Sequence, residues 1–426
     1  MNAPQYYQPY GHPPGPPPRK RRTTGKVVVA LVAVVVLVAA GITVALALRS
    51  SDETPIVARS SAPMADAGPP ARDVLVQRIE DGPATYGASP VFDACAVLPR
   101  AALADVGFPE DVTDYRESAY LPASVTPDRA TLRKVSEFDP ITECGYWIRG
   151  ADRDDAYVVL EIAQLPFNAL RGRELGTSQS SGLAVATRRS DDQFFAEIGN
   201  GDSRFAAHLV MGRVTSDVDG VPAEAVFGKL VDAVAAGLAA GPTARGSYAF
   251  TGPYEDLPFA CDVLDAEVFT ELTGKPDSGR VEVRDTSAHE TDRDYRGIGR
   301  LQAVEQRCTR SSTDRFAADD SGARTLTASF ETFRGEAQAA SAHAFQCDPE
   351  NPAGAVIGEP VPLDEEVGDA KPCVRPIGYL NYVFLIGRTS VRIMPDEGWA
   401  GTDPEDFGRE FTPLARKFAD VVRERF

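Results

Sequence analysis

The chain has 426 residues, of which 43% are hydrophobic and 25% are charged, and its formal net charge is −18. That length accommodates two or three domains. An acidic surface of this size repels phosphate backbones, so nucleic acid is not expected as a partner.

Residues 1–26 predict a disordered, basic tail on the cytoplasmic side of a membrane. Residues 1–18 are rich in proline and contain three tyrosines, and residues 19–26 add five basic residues and no acid. Such a segment cannot bury a core. Its composition is typical of polyproline II structure, which either docks in an aromatic-lined groove or serves only as a solvated leader.

Residues 27–48 predict a single transmembrane helix. These 22 residues carry no charge. At about 1.5 Å per residue the helix spans roughly 33 Å, enough for a hydrocarbon core of about 30 Å. The basic residues before it keep the N-terminus cytoplasmic, so the chain beyond it lies outside the plasma membrane. A cleaved signal peptide ending near residues 45–47 is the alternative, although its apolar region would be unusually long.

Residues 49–89 predict an extracytoplasmic stalk. The segment is rich in proline, serine and alanine, with one short helical pattern around residues 73–80. Its expected role is to hold the folded part away from the membrane.

Two stretches beyond the stalk resemble each other, which indicates an internal repeat. Residues 94–98 read Ala-Cys-Ala-Val-Leu, and residues 260–264 read Ala-Cys-Asp-Val-Leu. A short helix should follow each stretch and end at a glycine, Gly107 in the first copy and Gly274 in the second. In the second copy Asp265 is suited to cap that helix.

Two later features recur in the same order. Each half contains an apolar run that ends in Gly-Arg, at residues 209–213 and 384–388. Each half then ends on an amphipathic helix with apolar residues at matching offsets. These residues are Phe227, Leu230, Val234 and Leu238 in the first copy, and Phe411, Leu414, Phe418 and Val422 in the second.

Strand-like and helical patterns alternate between these landmarks. The runs at 157–162 and 326–330 favour strands, and residues 334–345 favour a helix. We therefore expect an α+β fold of two tandem repeats, each an antiparallel sheet with packed helices. The expected boundaries are 90–241 for repeat 1, 242–256 for a linker and 257–426 for repeat 2.

All six cysteines follow the predicted span, and an even number in that location favours disulfides. The equivalent spacing in the two copies selects Cys95–Cys144 and Cys261–Cys308. Cys347 and Cys373 then remain to pair with each other. No two cysteines have the short spacing of a structural zinc site, so no metal is expected.

The cysteine motifs resemble a family of actinobacterial cell-envelope domains of unknown function. Those domains, often lipoproteins, open with Cys-x-Leu-Leu and carry a later Cys-x-Trp. The runs starting at Cys95 and Cys144 approximate both motifs, and those at Cys261 and Cys308 fit less closely, since Ser311 replaces the tryptophan. The resemblance covers about residues 90–426 as two copies. It implies an envelope location, a compact disulfide-bonded domain and no catalytic residues.

Catalytic motifs are not evident in the sequence. The four histidines, His12, His208, His289 and His343, are scattered, and no nucleophile or dinucleotide motif is present. We therefore predict no catalytic, cofactor-binding or metal-binding residues and no enzymatic activity.

The repeated arginines Arg213 and Arg388 are the candidate ligand contacts. If both project into one cleft, they could hold a carboxylate or a phosphate. Alternatively each arginine pairs with a neighbouring acid. The favoured function is a membrane-anchored protein that binds or senses an envelope protein or a small ligand. The alternative is a structural scaffold in an envelope or division complex, and a wall-polymer hydrolase is not expected.

Overall fold

The computed structural model describes most of the chain beyond residue 68. The described ranges, with gaps between them, are 69–108, 112–120, 142–148, 156–164, 178–200, 205–213, 217–218, 220–295, 299–313, 324–350, 358–377, 379–395 and 402–426. The predicted tail, the predicted span and most of the predicted stalk lie outside these ranges. Among the described residues, no helix has the length and apolarity needed to cross a membrane.

Five of the seven α-helices in the described ranges form where the amphipathic and capping patterns predict them, and two short ones at Cys95 and Cys261 were not predicted. In chain order the α-helices of the described ranges are α1 (Ala94–Val97), α2 (Arg100–Val106), α3 (Ala223–Ala239), α4 (Ala260–Val263), α5 (Ala266–Thr273), α6 (Glu336–Gln346) and α7 (Pro404–Arg425). Gly107 and Gly274 follow α2 and α5 in the left-handed conformation, as predicted. Asp265 caps α5 by accepting a hydrogen bond of 2.9 Å from the Val268 N–H, also as predicted.

Strands make up most of the remaining described chain. In chain order they are β1 (Leu75–Asp81), β2 (Ala84–Tyr86), β3 (Ser89–Val91), β4 (Val112–Tyr120), β5 (Thr142–Ile148), β6 (Ala156–Gln164), β7 (Ser178–Ser180), β8 (Leu183–Ser190), β9 (Gln193–Gly199), β10 (Phe205–Gly212), β11 (Asp217–Val218), β12 (Val221–Pro222), β13 (Ala244–Phe250), β14 (Asp277–Tyr295), β15 (Gly299–Ser312), β16 (Thr325–Phe333), β17 (Val361–Pro362), β18 (Cys373–Ile377), β19 (Tyr379–Ile386) and β20 (Thr389–Pro395). Together with the helices they form the predicted α+β fold.

Fourteen strands form one antiparallel sheet that runs through both halves of the chain. Its order is β17-β18-β19-β20-β16-β15-β14-β4-β5-β6-β10-β9-β8-β7. The halves meet where β14 pairs with β4, over the ladder from Val281 opposite Tyr120 to Thr286 opposite Tyr115. Counted outward from this pair, the first half runs β4-β5-β6-β10-β9-β8-β7 and the second half runs β14-β15-β16-β20-β19-β18-β17. The two halves therefore place their strands in the same order.

That order corrects one sequence landmark. The Gly-Arg of the first half ends β10, whereas Gly387 and Arg388 form the turn between β19 and β20. Because β10 occupies the position of β20 and not of β19, the two Gly-Arg runs are not equivalent. Both runs are apolar because β10 and β19 are mostly buried strands of the sheet.

The predicted stalk and linker contribute to the folded part. Residues 75–81, within the predicted stalk, form β1, and residues 244–250, within the predicted linker, form β13. The two strands pair along their whole length, from Leu75 opposite Phe250 to Asp81 opposite Ala244. The helical pattern predicted near residues 73–80 is therefore wrong, because pairing with a distant strand outweighs a weak local preference.

One face of the sheet carries two hydrophobic cores. Helices α1, α2 and α3 cover the strands of the first half, and α4, α5 and α7 cover those of the second. The predicted apolar stripes face the sheet, with Leu230 and Phe418 fully buried. Phe426, just after α7, packs against both cores.

The three predicted disulfides are present. Cys95–Cys144 joins α1 to β5, Cys261–Cys308 joins α4 to β15, and Cys347–Cys373 joins the end of α6 to β18. The first two close loops of 49 and 47 residues, for which the chain-entropy model gives about 4 kcal/mol of stabilisation each.

Helix α6 lies on the opposite face of the sheet, which we call the outer face. It packs Ala339 and Ala342 against Ala303, Phe333 and Leu385 in a small separate cluster. It covers one end of β15, β16, β19 and β20. The adjoining part of the outer face carries mainly polar side chains.

Candidate functional site

A groove beside α6 is the candidate site. It has a volume of about 270 Å³ and lies over β14, β15, β16 and β20 on the outer face. The lining comprises Arg284, Glu305, Gln306, Arg307, Ser329, Phe330, Glu331, Ser390, Arg392 and Met394. We call this cavity the arginine groove.

Strand register places three guanidinium groups in one row. Arg284 lies opposite Arg307, Arg307 opposite Ser329, and Ser329 opposite Arg392. Directly opposed residues point to the same face of a sheet, and adjacent strands are about 4.8 Å apart. The row therefore presents three arginines and a serine across four neighbouring strands.

A second row, two residues along each strand, carries acids. Glu305 lies opposite Glu331, and Glu331 lies opposite Ser390. Gln346, the last residue of α6, donates a hydrogen bond of 3.1 Å to the Glu331 carboxylate. The lining of the groove thus holds three guanidinium groups and two carboxylates.

The arrangement is suited to hold an anionic group. Guanidinium groups offer planar pairs of N–H donors that match a carboxylate or a phosphate, and serine hydroxyls add further donors. The side chains stand on central strands of a large sheet, so their positions are held by the backbone ladder rather than by a loop.

The predicted contact Arg388 lies elsewhere and is engaged. Its guanidinium donates to the Asp256 carboxylate at 3.1 Å and to the Pro253 carbonyl, and it lies over the Tyr254 ring at 5.5 Å from the centroid. These contacts fasten the β19–β20 turn to the short 3-10 helix Gly252–Tyr254. They match the alternative that a neighbouring acid pairs with this arginine.

The predicted contact Arg213 is remote from Arg388. It is exposed after the end of β10 and has a positive φ of 58°. Seven strand steps separate β10 from β20, about 34 Å along the sheet at about 4.8 Å a step. The structure does not bring the two arginines together in one cleft.

A buried carboxylate next to Arg388 organises a second polar cluster. Glu290 is 1% exposed and accepts hydrogen bonds from Tyr254 Oη at 2.7 Å, from the Arg334 guanidinium and from the Ala71 N–H. Arg334 also donates to the Pro69 carbonyl at 2.7 Å. We call this cluster the Glu290 clasp, and it fastens the first described residues to the second half of the sheet.

The charges within the clasp shift two pKa values. Burial alone would raise the pKa of Glu290, but the hydrogen bonds from Arg334, Ala71 and Tyr254 outweigh it and lower that pKa. Burial and the hydrogen bond to Glu290 raise the pKa of the Tyr254 phenol. Both shifts favour ionised Glu290 and neutral Tyr254.

Sequence reasoning could not have found the arginine groove. Alternation of charged and apolar residues, as in Val391-Arg392-Ile393, is what any strand with one solvated face shows. Only the register across four strands separated by up to 108 residues (Arg284 to Arg392) brings the arginines together. Comparisons with family models, with curated proteins and with solved structures found no match.

Proposed function

We propose that this chain is a single-pass, membrane-anchored binding protein that holds a small anionic ligand in the arginine groove outside the plasma membrane. The observation that carries the proposal is the row of Arg284, Arg307 and Arg392 on neighbouring strands. The groove is lined by guanidinium, carboxylate and hydroxyl groups, and its lining contains no positioned nucleophile–base pair. These groups suit binding of an anion rather than catalysis.

The proposed location rests on two features. Residues 27–48 have the length and the flanking charges of an anchor whose N-terminus is cytoplasmic. The three disulfides are of a kind that persists in an oxidising compartment, which suits a folded part outside the cytoplasm.

We further infer that the halves are tandem copies of one unit that belongs with the envelope domains named above. The supporting features are the common strand order, the equivalent positions of Cys95–Cys144 and Cys261–Cys308, and the matching apolar stripes of α3 and α7.

Thermal unfolding of the full-length protein in detergent micelles tests the ligand class. The probes are phosphate, sulfate and succinate, each compared with chloride at equal ionic strength. A ligand near 100 times its Kd stabilises by about 2.7 kcal/mol, so at least one probe should raise the Tm saturably by about 2–6 °C. Arg392→Gln should abolish that increase, whereas Arg188→Gln, an exposed arginine on β8, should retain it.

An equal effect of chloride, or an unchanged increase in the Arg392→Gln variant, would refute binding in the groove. Arg284→Gln provides a second variant in the same row, so the result does not depend on one substitution.

A scaffold in an envelope or division complex is the second candidate. The feature that favours it is the Pro/Tyr-rich segment 1–18, a composition suited to docking in an aromatic groove. Deletion of residues 1–18 should disturb the cellular localisation of a scaffold and leave that of a ligand-binding protein unchanged.

A further inference from the structure

The arginine groove carries two rows of different charge along its length. The first row holds the three arginines and Ser329. The second row lies two residues further along the strands and holds Glu305, Glu331 and Ser390. Two residues of a strand span about 6.8 Å. The groove therefore has one end that offers cationic donors and one end that offers anionic acceptors.

A lining with both charges distinguishes ligands by their charge pattern. An anion at the first row is attracted by the guanidinium groups and repelled by the two carboxylates about 6.8 Å away. A ligand with a cationic group at that distance is attracted at both ends. The groove is therefore better matched to a zwitterion than to a simple anion.

The second row supplies the acceptors that an ammonium group needs. An ammonium has three N–H donors, and the two carboxylates and the Ser390 hydroxyl supply acceptors for all of them. Glu331 is 7% exposed, and the hydrogen bond from Gln346 holds its carboxylate in place. Hydrogen bonds to charged groups are stronger than neutral ones, so this end contributes affinity as well as selectivity.

The sheet by itself does not require this pattern of charges. Counting along the strand pairs from Cys308 and from Cys144 assigns the groove positions their equivalents in the first half. In the first half these equivalents are Glu143, Glu161, Ala163, Ala206 and His208, in place of Arg307, Ser329, Glu331, Ser390 and Arg392. Because the same strand order forms with these other residues, strand pairing does not impose the two rows.

The volume of the groove limits the size of its ligand. A volume of about 270 Å³ corresponds to roughly nine water molecules at about 30 Å³ each, so the ligand has about ten heavy atoms. An extended chain of about five bonds, at about 1.5 Å a bond, separates its terminal groups by roughly 6–7 Å. A linear molecule of this length therefore matches both the volume of the groove and the spacing of its rows.

We propose that the arginine groove binds a small zwitterion, with its oxyanion at the arginine row and its ammonium about 6–7 Å away at Glu305, Glu331 and Ser390. This inference rests on the proposed function, because it assigns the second charge of the ligand that the same groove holds. Amino carboxylates and amino phosphates of this length share the required chemistry.

Isothermal titration calorimetry with the full-length protein in detergent micelles tests the inference. The probes are δ-aminovalerate and aminopropyl phosphate, and each is compared with the analogue that lacks the amine, valerate or propyl phosphate. At least one amine probe should bind with a Kd between about 1 μM and 1 mM, and its analogue should bind at least about tenfold more weakly. The pair that shows this difference identifies the anionic group of the ligand.

Variants of the second row test whether the carboxylates cause the preference. Glu305→Gln keeps the shape of the side chain and removes one carboxylate. It should reduce the preference for the amine probe to about threefold or less without weakening the analogue. Glu331→Gln is the second variant and should act in the same way, since its amide oxygen still accepts the hydrogen bond from Gln346.

Two controls complete the comparison. Glu161→Gln, on β6 outside the groove, should leave the preference unchanged. Arg392→Gln should weaken both members of the pair about tenfold, because both use the first row. Circular dichroism checks the fold of each variant.

Two outcomes would overturn the inference and leave the proposed function intact. They are binding of phosphate in the groove with no preference for either amine probe, and an unchanged preference in folded Glu305→Gln and Glu331→Gln variants. If neither phosphate nor any of the four probes binds in a manner that depends on Arg392, both the inference and the proposed function are wrong.

Discussion

At the scale of single residues, Glu290 shows how one buried carboxylate connects distant segments. Its partners come from residues 71, 254 and 334, and the main chain of Glu290 also donates to the Ala71 carbonyl at 3.0 Å. A carboxylate in this position is compensated by its neighbours, so removing it leaves Arg334 without the charge that faces it.

We expect Glu290→Gln to lower the free energy of unfolding by about 2 kcal/mol at neutral pH, since Arg334 remains partly solvated. Because the pKa of Glu290 is lowered in the folded state, the unfolded state binds more protons at acidic pH. The stabilisation is therefore complete above the ordinary glutamate range and is lost as the pH falls through the folded pKa.

Urea denaturation at several pH values measures this effect. The difference between wild type and Glu290→Gln should shrink toward acidic pH, and Glu224→Gln, an exposed carboxylate on α3, should show little difference at any pH. A difference that grows as the pH falls would contradict the assignment.

At the scale of elements, α3 and α7 share a pattern but differ in how closely they approach the edge strands. Both present eight buried residues. Gly408 lets α7 contact Leu363 and Val374 directly, whereas Gly228 of α3 faces open space. A glycine on each helix thus has opposite tolerance for a side chain according to what the neighbouring strand supplies.

This difference predicts opposite effects of the same substitution. Gly→Ala in a helix ordinarily stabilises by about 1 kcal/mol, and Gly228→Ala should raise the free energy of unfolding by about that amount. Gly408→Ala should instead lower it by about 1–3 kcal/mol, because the new Cβ would overlap Leu363. The denaturant midpoints of the two variants, measured in parallel, test this prediction. If both substitutions stabilise the protein, α7 can shift away from Leu363 and the prediction is wrong.

At the scale of the whole molecule, the two halves share one sheet. The β4–β14 ladder joins them by main-chain hydrogen bonds, and Phe426 packs against both cores. Unfolding one half would expose a long sheet edge on the other, which is unfavourable in water. We therefore regard residues 69–426 as one cooperative unit, even though the sequence resembles two domains.

Hydrogen exchange should reveal this cooperativity. Leu230→Ala removes a fully buried side chain from the first core and should cost about 2–5 kcal/mol. We expect faster exchange both in β6 and in β16 of the other half, with Lys229→Ala, its exposed neighbour, as the control. Faster exchange confined to the first half would show that the halves unfold separately.

The sequence by itself determined the features that rest on local chemistry. Capping residues, helix stripes and an even set of recurring cysteines depend on spacing along the chain, and they correctly predicted the helix ends at Gly107 and Gly274, all three disulfides and the α+β class. Tertiary structure alone decided which strands are neighbours and in what register. It incorporated residues 75–81 and 244–250 into the fold, separated Arg213 from Arg388, and aligned Arg284 with Arg307 and Arg392. Strand pairing forms between residues far apart in sequence, and a strand with one solvated face looks the same whichever partner it has, so no local pattern could specify the arginine groove.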